Sequence, residues 1–234
     1  MKIALIGYGR MGRLIDATAA GRGHEIVAAI HGEAARRPAE ALAHALRAAE
    51  ADVAIDFSTA DAVRRNVEAS MIAGVPLVEG TTGWNDQRAA IEGLVREREG
   101  AFVFGANFSI GVNLFFRVAQ FAAELFAKFP EYETFIEEQH HSQKKDAPSG
   151  TALKLEELVS RHVKLASEIA VTRAGNIPGT HRVGFDGSAD QVLLEHTARS
   201  REGFASGAVM AAEWVVGKKG FYDFVDVLDE IIQQ

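Results

Sequence analysis

The chain has 234 residues, 47% of them hydrophobic, which is enough to bury a sizeable core in one large domain or two small ones. Its formal net charge of −7 argues against a general nucleic-acid role, which calls for a basic face. Cysteine is absent, which excludes disulfides and thiolate chemistry. No apolar run reaches transmembrane length and the opening residues read as a strand, so a cytoplasmic globular protein is expected.

The first half alternates between two periods. Ile3–Ile6 is a short apolar run, followed by Gly7-Tyr8-Gly9-Arg10-Met11-Gly12 and a helical pattern through Ala19. Further strands are expected at Glu25–Ile30, Val53–Phe57, Pro76–Glu79 and Ala101–Phe104, with helices near 60–73 and 86–97. Apolar strands separated by amphipathic helices indicate a parallel sheet covered on both faces, a Rossmann-like α/β unit. Residues 31–52 are short and Ala/Arg-rich, so a reduced helix and an alanine-rich surface are expected there.

After Asn107-Phe108-Ser109 the texture changes. A long helix at 110–127 leads into a strand at Tyr132–His141, then a helix at 149–163. Strands at 168–173, 180–186 and 190–198 follow, with Asp186-Gly187 as a turn. Consecutive strands without intervening helices suggest a second, α+β domain on a mostly antiparallel sheet. Gly207–Val216 and Phe221–Ile232 read as helices, the last packing back on the first domain. The division expected is 1–108 with 204–234 for dinucleotide binding, and 109–203 for substrate binding and oligomerisation.

Gly7, Gly9 and Gly12 fit G-x-G-x-x-G between a strand and a helix. The first allows the tight turn, the second lets backbone approach a pyrophosphate, and the third permits close helix packing. A ribose-binding acid is expected about 20 residues on, but His31-Gly32 holds that place. NADH and NADPH therefore both stay open. Gly80-Thr81-Thr82 and Ala106-Asn107-Phe108-Ser109 follow parallel strands, where loops line the binding crevice of such sheets; ordinary connecting loops with helix caps are the alternative.

The densest chemistry lies at 137–152. His140, His141, Lys144 and Lys145 precede a helix start at Ser149-Gly150-Thr151. A helix N-terminus offers unpaired N–H groups and the positive end of the peptide dipole, which suits a carboxylate or phosphate. Neighbouring histidines on one strand point to opposite faces, so one at most faces such a pocket unless the chain bends. A metal is not expected: there is no H-E-x-x-H and no cysteine, and the lysine charges repel a cation.

Gly7–Gly12, Asp56-Phe57-Ser58, Gly80-Thr81-Thr82-Gly83, Asn107–Asn113 and above all His140-His141-x-x-Lys144-x-Asp146-Ala-Pro148-Ser-Gly150-Thr151 resemble the 4-hydroxy-tetrahydrodipicolinate (dihydrodipicolinate) reductase family. Arg173-Ala-Gly175, Gly179-Thr-His181 and Phe204-Ala-Ser-Gly207 extend the resemblance over nearly the whole chain. Two departures stand out. The nucleotide loop is one residue tighter than in many members, and His31-Gly32 replaces an acid–arginine pair.

The resemblance implies an NADH- or NADPH-dependent reductase of a cyclic imine dicarboxylate, serving lysine and diaminopimelate biosynthesis as a homotetramer. It implies His140 as general acid with Lys144 as cationic partner. His141, Lys144, Ser149, Gly150 and Thr151 are then carboxylate ligands, and Phe57 and Ser58 join the cofactor residues. No nucleic acid or membrane partner is implied. Another dehydrogenase of a small amino or keto diacid, and a non-catalytic dinucleotide sensor, are the alternative readings.

Overall fold

The computed structural model describes residues 1–233. In chain order the elements are β1 (Lys2–Ile6), α1 (Arg10–Gly21), β2 (Glu25–Ile30), α2 (Ala39–Ala48), β3 (Val53–Asp56), α3 (Val63–Ala73), β4 (Leu77–Glu79), α4 (Arg88–Glu97) and β5 (Ala101–Phe104). There follow α5 (Ile110–Phe126), β6 (Glu133–His140), α6 (Gly150–Val159), β7 (Ala170–Arg173), β8 (Thr180–Asp186) and β9 (Gln191–Thr197). The last are α7 (Glu202–Val215), β10 (Gly220–Asp223) and α8 (Phe224–Gln233). Two compact units result: Met1–Ile110 with the chain from Arg201 onward, and Gly111–Ser200.

The first unit holds a six-stranded sheet in the order β10-β5-β4-β3-β1-β2, parallel throughout. Because strand side chains alternate, each central strand feeds two cores. Ile3, Leu5, Ile55 and Val78 pack with α1, α7 and α8 residues such as Ile15, Val209 and Val227. Ala4, Ile6, Ala54 and Leu77 pack on the other face with Leu42, Leu46, Val63, Val67 and Ile91. Burial on both faces explains why these strands read as continuous apolar runs.

Two expectations need correction. The segment 31–52 carries the full ten-residue α2, whose Ala39, Leu42, Ala43 and Leu46 are buried. What reads as an alanine-rich surface is a helix face, with leucines one turn apart and small residues between them. Alanine is the best helix former and admits close packing. The second correction concerns 221–223, read as the start of the last helix but belonging to β10. It is a sixth strand, parallel to β5, and only from Phe224 does the chain turn helical. A four-residue aromatic run carries too little periodicity to separate strand from helix. The structure also starts α7 at Glu202 and ends α6 at Val159, against expected bounds of Gly207 and 163.

The second unit is a four-stranded sheet in the order β7-β6-β8-β9. Pairing is antiparallel for β6–β8 and β8–β9 and parallel for β6–β7. The side chains of α5 (Phe115, Ala119, Ala123) and α6 (Leu155, Val159) cover Ile136, Val183 and Phe185 of this sheet. Along β6 every second residue from Thr134 to His140 is buried. That alternation brings three polar side chains, Thr134, Glu138 and His140, into the interior.

Candidate active site

In the first unit the glycine fingerprint closes the turn from β1 into α1. Gly7 sits at φ +89°, and a Cβ there would lie 2.5 Å from the Phe57 carbonyl oxygen. A Cβ on Gly12 would lie 2.4 Å from the Gly7 carbonyl oxygen. Gly9 differs: nothing lies within 4 Å of where its Cβ would be, so its backbone faces open space. It is the N-cap of α1 and contributes no side-chain cap, so the first amides of the helix are free to meet an anion. A cleft of about 760 Å³ opens there, lined by Gly9, Arg10, Arg13, Leu14 and Arg201. Open backbone, a helix N-terminus and three guanidinium groups fit a dinucleotide pyrophosphate.

The other residues expected at this site follow the carboxyl ends of their strands. His31 lies just past β2, exposed, stacked on Tyr8 with ring centroids 5.9 Å apart. The Tyr8 hydroxyl donates to Asp16. The Ser58 N–H donates to Thr81 Oγ1 at 3.1 Å, tying the loops after β3 and β4 together. Thr82 lies in the same turn, and Met11 packs along the α1 face of the core. After β5, Ala106 is exposed, and Asn107 Oδ1 accepts the Ser109 N–H at 2.8 Å. Phe108 is only 1% exposed and packs on Phe224 at 4.6 Å, so its backbone alone is available to a ligand.

In the second unit a polar cluster forms around Glu138, whose side chain is fully buried. Register explains its membership. Glu138 is the antiparallel partner of His181 on β8, and His140 the parallel partner of Arg173 on β7. Arg173 Nη2 donates to Glu138 Oε1 at 2.6 Å and also to the Asp146 carbonyl at 2.6 Å. The Ser149 N–H donates to Oε1 at 2.9 Å, and the Ser149 hydroxyl donates to Oε2. His140 Nδ1 stands 3.3 Å from Oε2, and His181 Nε2 stands 3.1 Å from Ser149 Oγ. The ligand atoms of Glu138, His140 and His181 lie within 4.8 Å of one another, close enough for a cation to span. Both Glu138 oxygens, however, already accept from Arg173 and Ser149.

Charge follows from this packing. Burial pushes Glu138 up, but the Ser149 and Arg173 donors outweigh it and hold the carboxyl below its ordinary range. Burial lowers His140, the Glu138 charge partly restores it, and the Lys144 charge lowers it again. His181 falls to about 4, first through burial and then through neighbouring His140. Both imidazoles are therefore neutral in the free protein at neutral pH.

The expected ligands surround this cluster. Ser149 is the N-cap of α6, its Oγ accepting the Ala152 N–H at 3.2 Å. Gly150 and Thr151 are the first helical residues. Lys144 Nζ donates to both Asp146 carboxyl oxygens, at 2.8 and 2.9 Å. His141 lies just past β6, half-buried, and its carbonyl accepts the Lys144 N–H at 3.1 Å. Glu138, Arg173 and His181 were not singled out in the sequence as site residues. Glu138 stands two residues before His140 and so shares its face, a period-2 signal that was available. The other two arrive only by strand pairing.

Residues 1–108 match the family model described as dihydrodipicolinate reductase, N-terminus, and residues 111–228 match its C-terminus counterpart. The 4-hydroxy-tetrahydrodipicolinate reductase of Christiangramia forsetii is 39% identical over 245 residues, covering 100% of both chains. That of Archaeoglobus fulgidus is 37% identical over 262 residues, covering 98% of this chain and 100% of the relative. A solved structure, the dipicolinate-bound dihydrodipicolinate reductase from Paenisporosarcina sp. TG-14, shares the fold. Its TM-score is 0.79 at 24% identity, over 97% of this chain and 99% of that one.

Fold, fingerprint and family models together define an NAD(P)-dependent oxidoreductase. The chain belongs to the dihydrodipicolinate reductase family.

Proposed function

We propose that the protein reduces 4-hydroxy-tetrahydrodipicolinate to tetrahydrodipicolinate with NADH or NADPH, in lysine and diaminopimelate biosynthesis. Dinucleotide binding is assigned to 1–108 with 204–234, and substrate binding to 109–203. The observation that carries the reading is that Glu138, whose Oε2 lies 3.3 Å from the buried His140 Nδ1, also binds Ser149, the N-cap of α6, and so places the imidazole and that helix N-terminus on one carboxylate.

In this reading the substrate's two carboxylates meet the Gly150 and Thr151 amides, the Thr151 hydroxyl, His141 and Lys144. Substrate loses its 4-hydroxyl as water, and a hydride and a proton are then added. When bound, the reduced nicotinamide supplies the hydride to ring carbon 4. His140 supplies the proton to the ring nitrogen, where electron density collects. Burial and the Lys144 charge leave His140 neutral, but an arriving dianion favours the charged imidazolium, so substrate itself loads the acid. Glu138 steadies the imidazole from behind. Fixing both carboxylates orients carbon 4 and supplies much of the acceleration.

His31-Gly32 takes the place of a carboxylate just past β2, with the exposed Glu33 displaced beyond it, in keeping with use of either nucleotide. Among the described residues no helix is long and apolar enough to cross a membrane. We assign the protein to the cytoplasm as a homotetramer assembled through the second unit, whose β9 exposes Val192 and Leu193 at 41% and 46%. Consumption of NADH and of NADPH with enzymatically generated substrate tests the reaction. Substrate-dependent oxidation is expected. Oxidation with other keto or imino diacids but not with this one would replace the assignment.

A further inference from the structure

Asp56 and Glu79 end β3 and β4 as register partners, and both are 0% exposed. They lie on the sheet face that carries Ala54 and Leu77, under α3 and α4. One oxygen of each carboxyl has a donor. Asn66 Nδ2 donates to Asp56 Oδ2 at 2.7 Å, and the Thr81 N–H donates to Glu79 Oε1 at 2.7 Å. The remaining oxygens, Asp56 Oδ1 and Glu79 Oε2, are buried and accept no hydrogen bond among the described residues, with the neutral Ser58 beside Asp56.

Ionised carboxyls only accept, so two of them in hydrogen-bonding reach of each other need a proton between them. Burial raises Glu79 well above the ordinary carboxylate range, and the neighbouring Asp56 charge raises it further. Glu79 is thus the partner that keeps the proton. The surrounding groups bring no counter-charge onto the pair. From α3, Arg65 directs its guanidinium to Asn66 Oδ1 at 3.1 Å. From the α4 side, Arg88 lies over the Phe104 ring, 4.6 Å from its centroid. The strand neighbours Ile6 and Phe104 are apolar, and Ser58, Asn66 and Thr81 are neutral.

We infer that Asp56 and Glu79 form a proton-sharing pair that positions the loops after β3 and β4 for dinucleotide, and that losing the shared proton in alkali weakens dinucleotide binding. The connections run directly from the pair into both loops. Asn66, held on Asp56, also donates to Ser58 Oγ at 3.1 Å. The Asp56 carbonyl accepts the Gly80 N–H at 2.9 Å. Glu79 holds the Thr81 amide, and Thr81 Oγ1 in turn accepts the Ser58 N–H. Stripping the proton places two like charges side by side in the interior, and the loops they anchor must give way. The pair is fully buried behind these loops, so both residues are positioning residues. The inference rests on the dinucleotide reading of these loops.

Infrared spectra of the full protein, with NADH titration calorimetry over the same neutral-to-alkaline range, test it. A protonated-carboxyl carbonyl band is expected near neutrality, fading as pH rises while NADH binding weakens by about tenfold, the scale of one lost loop hydrogen bond. Glu79→Gln keeps a donor toward Asp56, so it should lack the band and bind NADH with a flat pH profile. Asp56→Asn, which donates to an ionised Glu79, should flatten the profile in the same way and serves if the first variant does not fold. A missing band with NADH binding intact overturns the inference alone. An unchanged pH dependence in both variants does the same. An intact band with no dinucleotide binding at any pH overturns the inference together with the dinucleotide reading.

Discussion

Ser149 and Glu138 are joined twice, the serine amide and hydroxyl each donating to a different carboxyl oxygen. The N-cap of α6 is thereby locked to the strand that carries His140. Position of the first α6 amides and position of the imidazole become one variable. Arg173 closes the arrangement by holding the same carboxylate and the Asp146 carbonyl.

Replacing Glu138 should therefore disturb chemistry and fold together. Glu138→Ala strands the Arg173 charge and should cost about 3–5 kcal/mol, read as lost thermal or urea stability. Glu138→Gln keeps the shape but removes the charge that raises His140. With a histidine acid, the alkaline fall in kcat/KM should then move to lower pH. A variant that is destabilised but keeps the wild-type pH profile would show that Glu138 only holds the fold.

The two glycines of the nucleotide turn should separate binding from packing. Gly9→Ala meets open space, so thermal stability should hold while NADH affinity drops as the new methyl occupies the pyrophosphate approach. Gly12→Ala forces a Cβ into the Gly7 carbonyl and should cost about 1–3 kcal/mol besides weakening the cofactor. Calorimetric NADH titrations beside thermal melts check both. Equal melting losses in the two variants would contradict the assignment.

Acid should unfold the protein partly through His181. Its folded value of about 4 lies below the unfolded 6.5, so the unfolded chain binds the extra proton between them. Stability is full above 6.5 and falls as pH drops toward 4, by ~3 kcal/mol in all. Urea midpoints across that window should slope less in His181→Gln than in the parent. Parallel slopes would show that His181 does not titrate with unfolding.

How far the sequence disclosed this molecule depended on whether a feature is local. The β1–α1 turn was legible because an apolar run, three glycines and a helical stripe occur in one window. The Ser149 cap and the cations before it were legible for the same reason. Leu42 and Leu46 were misjudged because alanine between them blurs the contrast between core and surface, and their burial depends on α3 packing alongside. Gly220–Asp223 gains its strand character only from β5 beside it. Arg173 and His181 reach Glu138 through pairings between distant segments, and no spacing in the sequence announces those registers.

His140 is tested most directly by steady-state turnover with NADH and NADPH on enzymatically generated 4-hydroxy-tetrahydrodipicolinate, comparing wild type with His140→Gln. The substitution should lower kcat by roughly two orders of magnitude or more while dinucleotide affinity stays put, as expected for a lost proton donor. A folded His140→Gln protein that turns over at the wild-type rate would contradict the assignment outright.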